Sequence, residues 1–397
     1  MKRWKKILLI LLAVILLAQI PFVYRRFQIS NRAEKTNSLN TNRTNLSNPN
    51  FNEYKGIIHA HTNLGGHSTA TFDELIDGAS KNNLDFVVMT EHTAENFDSS
   101  AKTLNGVFKN TLFVGGNEVD TISGDRFLLV SGSSEAFQDA KLETPKFLEK
   151  YQSQSKIALV TYPEKFKTWD ANFDGIEVFS LHTNAKRNIP YYAVFDLIWS
   201  FPSYPEQSFA RFFKRPNDNL QKFDEISQKR KITLFAGTDA HSNIGFHLFG
   251  DDAGNKIINF KIDRYETIFG MVRAHVLVAK DKQIRQESLL EAIKRGNLFV
   301  GFDVFADTTG FSFTAENGAE TKIQGDEIAL ANGVKLKISA PQIARFVIFK
   351  NGEKVFEDAG KNETIFEAKE KGVYRTEVYL DDLSESPWIM SNPIYVR

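Results

Sequence analysis

The spacing of apolar positions changes character three times along the chain. Residues 7–24, ILLILLAVILLAQIPFVY, carry no charge over 18 positions. As a helix rising 1.5 Å per residue this run is about 27 Å long, close to the ~30 Å hydrocarbon core of a bilayer. Beyond residue 51, short apolar runs at 56–61, 86–90, 112–118, 127–130, 157–162, 176–182 and 232–238 read as strands. Between the first two, 72–80 reads as a helix. Thr71 and Glu74 form a capping box, and Phe72, Leu75, Ile76 and Ala79 fall on one face. Strands alternating with helices predict a parallel sheet covered by helices, or a barrel. From about Thr308 the period shortens again, with alternating runs at 311–314, 334–339, 346–350, 364–368, 373–379 and 393–396. Turn signals at Asn351-Gly352 and Lys371-Gly372 separate them, which predicts a small all-β sandwich.

These shifts divide the chain into an N-terminal anchor or signal segment (1–26), an Asn-rich linker (27–50), an α/β body (51–307) and the β-sandwich (308–397). Lys2, Arg3, Lys5 and Lys6 precede the apolar run and Arg25 and Arg26 follow it. The stronger basic cluster comes first, which places the N-terminus inside and the body outside, at the periplasmic or cell-surface side. The alternative is secretion after signal cleavage. The apolar run is long for that, and Ala18-Gln19-Ile20-Pro21 makes a poor cleavage site. The linker shows neither helical nor strand period and reads as a flexible tether.

Composition narrows the chemistry. There is no cysteine, which excludes disulfides, thiolate nucleophiles and Cys-ligated metals. Any metal must be held by His, Asp and Glu. Lys+Arg and Asp+Glu both number 49, so bulk charge gives no reason to expect a nucleic-acid partner.

Six of the eight histidines sit at or near predicted strand ends. His59 and His61 are alternate residues of one strand, so both imidazoles can reach one point. His67 follows in a Gly-rich turn, and His92, Glu118, His182, Asp239 and His241 end later strands. In a βα barrel such ends share one mouth. Imidazoles and carboxylates converging there suit Zn²⁺, Mn²⁺ or Fe²⁺, and clustered carboxylates can bridge two ions. His275 lies apart from this pattern and reads as a structural histidine.

The motifs His59-Ala60-His61-Thr62, Thr90-Glu91-His92, Glu118 and Asp239-Ala240-His241, in that order, resemble those of the PHP (polymerase and histidinol phosphatase) family over about residues 54–305. His67 matches the third ligand of the first motif. The resemblance implies a distorted (β/α)7 barrel with two or three divalent ions and hydrolytic, mostly phosphoesterase, activity. Two positions depart from the family pattern. The strand Arg126-Phe127-Leu128-Leu129 lacks a usual His, and Tyr162-Pro163 stands where His-Pro is usual. These departures lead to an expectation of two metals, with His182 substituting for a missing ligand and Tyr162 serving as a phenolate ligand or an acid. A barrel followed by a sandwich ending Pro387-Trp388-Ile389-Met390-Ser391-Asn392-Pro393-Ile394 is similar to a branch that includes carbaryl hydrolase-like proteins, which extends the substrate range beyond phosphates.

On that basis one ion is expected on His59, His61, Glu118 and Asp239. A second would share Glu118 and use His92 with His182, leaving His67 and His241 for a third ion or a phosphate oxygen. Water activated between the metals would attack phosphorus or a carbonyl of a small, anionic ester, with Glu118 bridging and Asp239 accepting the proton. The aromatic and basic segment 183–221 reads as a helical excursion or as a lid over the metals. The competing functions are a non-catalytic PHP-derived binding module and a hydrolase of non-phosphate esters or carbamates.

Overall fold

The first strand of the body, Phe51–Ala60, lies inside the largest sheet, and the half nearer Ala60 is buried. The computed structural model describes residues 3–66, 68–190, 193–243, 245–250, 256–331 and 333–397. Phe51–Ala60 pairs in parallel with Phe86–Met89, which pairs in parallel with Thr111–Val114. On its other side it pairs antiparallel with Arg273–Ala279. Phe86–Met89 and Thr111–Val114 each break for one residue and resume as Glu91–His92 and Gly116–Asp120 in a second sheet. The expected single strand at 112–118 is therefore two, divided at Gly115. A Cβ there would meet the Ser100 carbonyl oxygen at 2.5 Å.

The second sheet runs in the order Thr233–Gly237, Gly175–Ser180, Ile157–Thr161, Arg126–Val130, Gly116–Asp120, Glu91–His92. Arg126–Val130 is antiparallel to both its neighbours, and the other pairings are parallel. A bridge between Ala60 and Ala240 joins the end of the first strand to the segment following Thr233–Gly237. The Thr238 N–H donates to the Ile58 carbonyl, and the His61 N–H to that of Ala240. Successive strand residues face two different apolar clusters. Ile57, Val87, Leu129 and Val160 lie in one, and Ile58, Val88, Leu128 and Leu159 in the other. Burial on both faces explains why these strands read as apolar runs rather than alternating ones. The architecture is mixed α/β with large sheets. Helix Phe72–Lys81 begins with the expected reciprocal cap between Thr71 and Glu74.

The tail differs from the expected separate sandwich. Ile389–Ser391 pairs with Leu298–Gly301, so the C-terminal strands continue the sheet that contains Phe51–Ala60. Asn392 closes the junction by accepting from the Leu234 N–H and donating to the Leu234 and Leu298 carbonyls. Arg375 reaches Asp224 of helix Asn217–Ser227 with two 2.7 Å hydrogen bonds. The runs at 334–339 and 346–350 fuse into one 17-residue strand, Val334–Lys350, hairpinned to the 16-residue Glu353–Ala368. Its turn is the expected Asn351-Gly352, with φ of 53° and 90°, the left-handed pair that a tight hairpin uses.

The N-terminal helix also exceeds its expected bounds. It runs from Arg3 to Thr41 through Pro21, so most of the presumed flexible linker is helical. Ile29 and Thr36 are buried against the body, Arg25 pairs with Asp196 at 2.8 Å and Lys35 with Asp382 at 2.6 Å. Charge and asparagine content concealed this docking face. The apolar part of the helix has the length and composition to cross a membrane, and it is not buried against the body.

Candidate metal centre

The end of the first strand supplies two imidazoles through a local irregularity. The pairing with Phe86–Met89 shifts register between Ile58 and Ala60, and His59 sits in the shift with φ 77°. Convergence of His59 and His61 thus depends on a bulge rather than on strand alternation alone. Asp239 (φ 49°) and Tyr162 (φ 50°) also occupy the left-handed region. Such backbone costs about 1–3 kcal/mol at each non-glycine residue and concentrates at functional sites.

Four side chains meet in the buried centre: His59, His61, Glu118 and Asp239, with one donor atom from each lying within 4.8 Å of the others. Asp239 Oδ1 is 3.3 Å from Nε2 of both His59 and His61. Glu118 Oε2 is 3.4 Å from His61 Nε2 and 3.7 Å from His59 Nε2. A second group consists of His61, His92 and His241. The His61 ring is stacked with each of the other two, with centroids 4.7 Å from His92 and 4.4 Å from His241, and those two lie 6.1 Å from each other. His92 and Glu118 are register partners on parallel strands, with Nδ1 3.4 Å from Oε2.

His182 behaves differently from expectation. The strand ends at Ser180, and His182 lies in the first turn of helix Leu181–Asn188 with its ring 6.1 Å from that of His241. It is at the edge of the site, outside both donor groups. His67 lies outside the described residues. His275 belongs to neither donor group. Its buried ring is held by Glu53, Asp303 and Thr308.

Two contributors escaped the sequence reading. Glu177, fully buried, takes His59 Nδ1 at 2.9 Å and the hydroxyl of Thr161. Its signal was a lone carboxylate in the apolar strand Gly175-Ile176-Glu177-Val178. Gly237 makes room for it, since a Cβ there would lie 1.7 Å from Glu177 Oε1. Arg126 stands 3.3 Å from Glu118 Oε1 and 5.0 Å over the ring of Tyr162, while its Nε and Nη2 bind Asp120. A fixed cation therefore flanks Glu118, with the Tyr162 ring against its other side. The Tyr162 hydroxyl donates to Asp239 Oδ2 at 2.6 Å.

The electrostatics follow from this crowding. Burial pushes Glu118 upward, but His59 and His61 outweigh it and hold the carboxyl at about 2. Burial opposes ionisation of Asp239 too, and its surrounding histidines keep it well below the carboxylate range. Burial lowers His61, whereas Glu177 and Asp239 overcome burial at His59 and raise it. Burial likewise raises the Tyr162 phenol, with Asp239 adding to the effect, so it remains a proton donor.

A divalent ion fits this donor set. His59 Nε2, both ring nitrogens of His61 and Asp239 Oδ1 are buried with no hydrogen-bond partner. Leaving buried polar atoms unpaired costs about 1–3 kcal/mol each, a cost that coordination would remove. All are hard or borderline donors of the kind that hold Zn²⁺, Mn²⁺ or Fe²⁺.

No family model and no curated protein matches the chain. Among solved structures, the chain is similar to PsfC from Pseudomonas syringae, at 11% identity and a TM-score of 0.34. The alignment covers 61% of this chain and 88% of that one.

Proposed function

We propose that the chain is a membrane-anchored, metal-dependent hydrolase of the PHP type, with phosphate esters as its main substrate class. The observation that carries this reading is the set of unpaired buried atoms on His59, His61 and Asp239, facing Glu118 at one end of the sheets. The strand contacts support the barrel. From Phe51–Ala60 the pairings lead through both sheets to Thr233–Gly237 and return by the Ala60–Ala240 bridge, a circuit of seven strand positions. Functional groups at the ends of strands in such a ring would share one mouth.

In this reading His59, His61, Glu118 and Asp239 would hold one ion, and His92 and His241 with His61 would hold a second. Bound Zn²⁺, Mn²⁺ or Fe²⁺ would supply Lewis-acid polarisation of the ester and acidification of water. Glu177 fixes the His59 tautomer, which would leave Nε2 free to ligate. Asp239 takes the proton from the attacking water, and the Tyr162 hydrogen bond keeps its carboxylate in place. Arg126 occupies the side of Glu118 where a further ion would need its second oxygen, which favours two ions over three. Its guanidinium also offers positive charge to an anionic ester. The basic N-terminal flank supports an extracytoplasmic position for the centre.

Elemental analysis of the purified full-length chain, with a phosphoester and carboxylester screen under Zn²⁺, Mn²⁺ and Fe²⁺, tests the proposal. Two ions per chain and turnover of a phosphoester are expected. Stable metal content with no turnover of any ester would leave a metal-holding binding module instead.

A further inference from the structure

Beside the metal centre lies a cavity of about 560 Å³. Its walls are mostly apolar, among them Ala185, Ile189, Ala193, Leu197, Phe209 and Phe212. It shares His182, Ala185, Ile189 and Phe209 with a narrower cleft that reaches Asp239 and His241. An apolar chamber of a size typical for small ligands, about 300–1,000 Å³, thus adjoins the hydrolytic groups. Lys186, exposed, stands at the same wall.

One side of the chamber is the short helix Val194–Trp199. Leu197 faces inward, while Phe195 and Ile198 are 42% and 64% exposed. This helix docks on the N-terminal helix at one level. Phe22 and Phe195 rings are 5.0 Å apart, the Trp199 indole donates to Gln19 at 3.0 Å, and Arg25 pairs with Asp196. Gln19 to Arg26 is where the apolar run gives way to Tyr24, Arg25 and Arg26, residue types that sit at a membrane–water boundary. The exposed Phe195 and Ile198 are therefore continuous with the apolar surface of the N-terminal helix, which puts this wall of the chamber at headgroup level.

We infer that the chamber holds the apolar chain of a membrane lipid whose headgroup carries the phosphate ester cleaved at the metal centre. The chemistry rests on the hydrolase reading, but lipid binding does not. In the reaction, water supplies hydroxyl to phosphorus, the P–O bond to the alcohol breaks, and the alcohol leaves with the proton. A soluble substrate would leave the chamber and the exposed helix without a purpose. A lipid uses both, since each buried CH₂ adds roughly fourfold in affinity.

The test uses the full-length chain in dioleoylphosphatidylcholine nanodiscs with a long-chain alkyl phosphate bearing a diazirine in its chain. Photo-adducts mapped by mass spectrometry are expected on residues 185–212 as well as on the lipid-facing helix at 7–24, with metal present or removed. Untagged dodecyl phosphate should compete at the first set. Leu197→Asp and Ala193→Trp should each reduce the 185–212 adducts about tenfold, because a charge or a bulky ring in the chamber opposes an alkyl chain. The 7–24 adducts are the internal control. Ala193→Trp carries the test if Leu197→Asp does not fold. Hydrolysis of dodecyl and ethyl phosphate is followed in parallel. Adducts confined to 7–24, or unchanged in both variants, overturn the lipid chamber even if ethyl phosphate is hydrolysed. Competable chamber adducts without hydrolysis of either ester retain lipid binding and remove the hydrolase reading.

Discussion

Glu177 Oε1 accepts from His59 Nδ1 at 2.9 Å, and this contact determines which nitrogen of His59 is left for a metal. Both groups are fully buried, and the Thr161 hydroxyl holds the other carboxylate oxygen. Replacing Glu177 with Gln keeps the volume but removes the negative charge that fixes the tautomer. Partners of this kind contribute roughly 10- to 100-fold to metal affinity. Glu177→Gln should therefore stay folded and lose metal affinity on that scale in a competition titration with a chelator. Unchanged affinity would mean that His59 is oriented by the bulge alone.

The two donor groups share His61, while His182 belongs to neither. His61→Ala should release all bound metal, because the vacancy affects both groups. His182→Ala should leave the metal content unchanged and instead alter substrate KM, since its ring lines the cavities beside the centre. Elemental analysis of both variants checks this. Loss of one ion in His182→Ala would return that residue to the ligand set, as the sequence pattern alone suggested.

The positions of His59, His61, His92, Asp239 and His241 were legible because each lies at the end of an apolar run, and run ends locate strand ends; Glu118 also closes such a run but sits mid-strand in Gly116–Asp120. The means of convergence was not legible. A left-handed His59 in a register shift has no signature in residue type, since alternation predicts the same facing without it. Glu177 was hidden because a single carboxylate in a strand does not reveal which imidazole it faces. The N-terminal helix was underread for another reason. Ile29 and Thr36 are its buried residues, too few in a polar stretch to register as a face. The tail's alternating strands were legible, but their partner was not. Pairing of Phe299 with Ser391 is a long-range contact that no local pattern encodes.

His275 makes a pH prediction remote from the metal centre. It ties strand Arg273–Ala279 to Glu53 of the first strand and to Asp303 and Thr308 at the start of the tail. Burial opposes its protonation, but Asp303 and Glu53 prevail and raise it from 6.5 to about 9. A raised folded value means the protonated ring stabilises the fold fully below pH 6.5, and that stabilisation disappears as pH rises through about 9. The change corresponds to on the order of 3 kcal/mol. Tm should fall between pH 6.5 and 9.5 more steeply in the wild type than in His275→Gln. Parallel slopes would show that the ring is neutral in the folded chain.

In the proposed mechanism, metal binding and proton transfer both depend on Asp239. Its Oδ1 faces His59 and His61 at 3.3 Å each, and its Oδ2 accepts from Tyr162 at 2.6 Å. Asparagine tolerates the left-handed backbone found here, at φ 49°, so Asp239→Asn should fold. Its amide oxygen can take the Tyr162 hydrogen bond, which turns the NH₂ group toward the two imidazoles. An N–H donor cannot ligate, so the ion held by the four-residue group should be lost or much weakened. Removal of the proton acceptor adds a further loss of roughly 10²–10⁴ in rate. Tyr162→Phe separates the two effects. It frees the Asp239 carboxylate without changing its charge, so metal should remain while kcat falls about tenfold, the scale of one hydrogen bond to a charged group. Metal content by elemental analysis and phosphoester turnover, measured on both variants, distinguish the outcomes. Full metal and full activity in Asp239→Asn would remove Asp239 from both roles and shift the proton acceptor to Glu118.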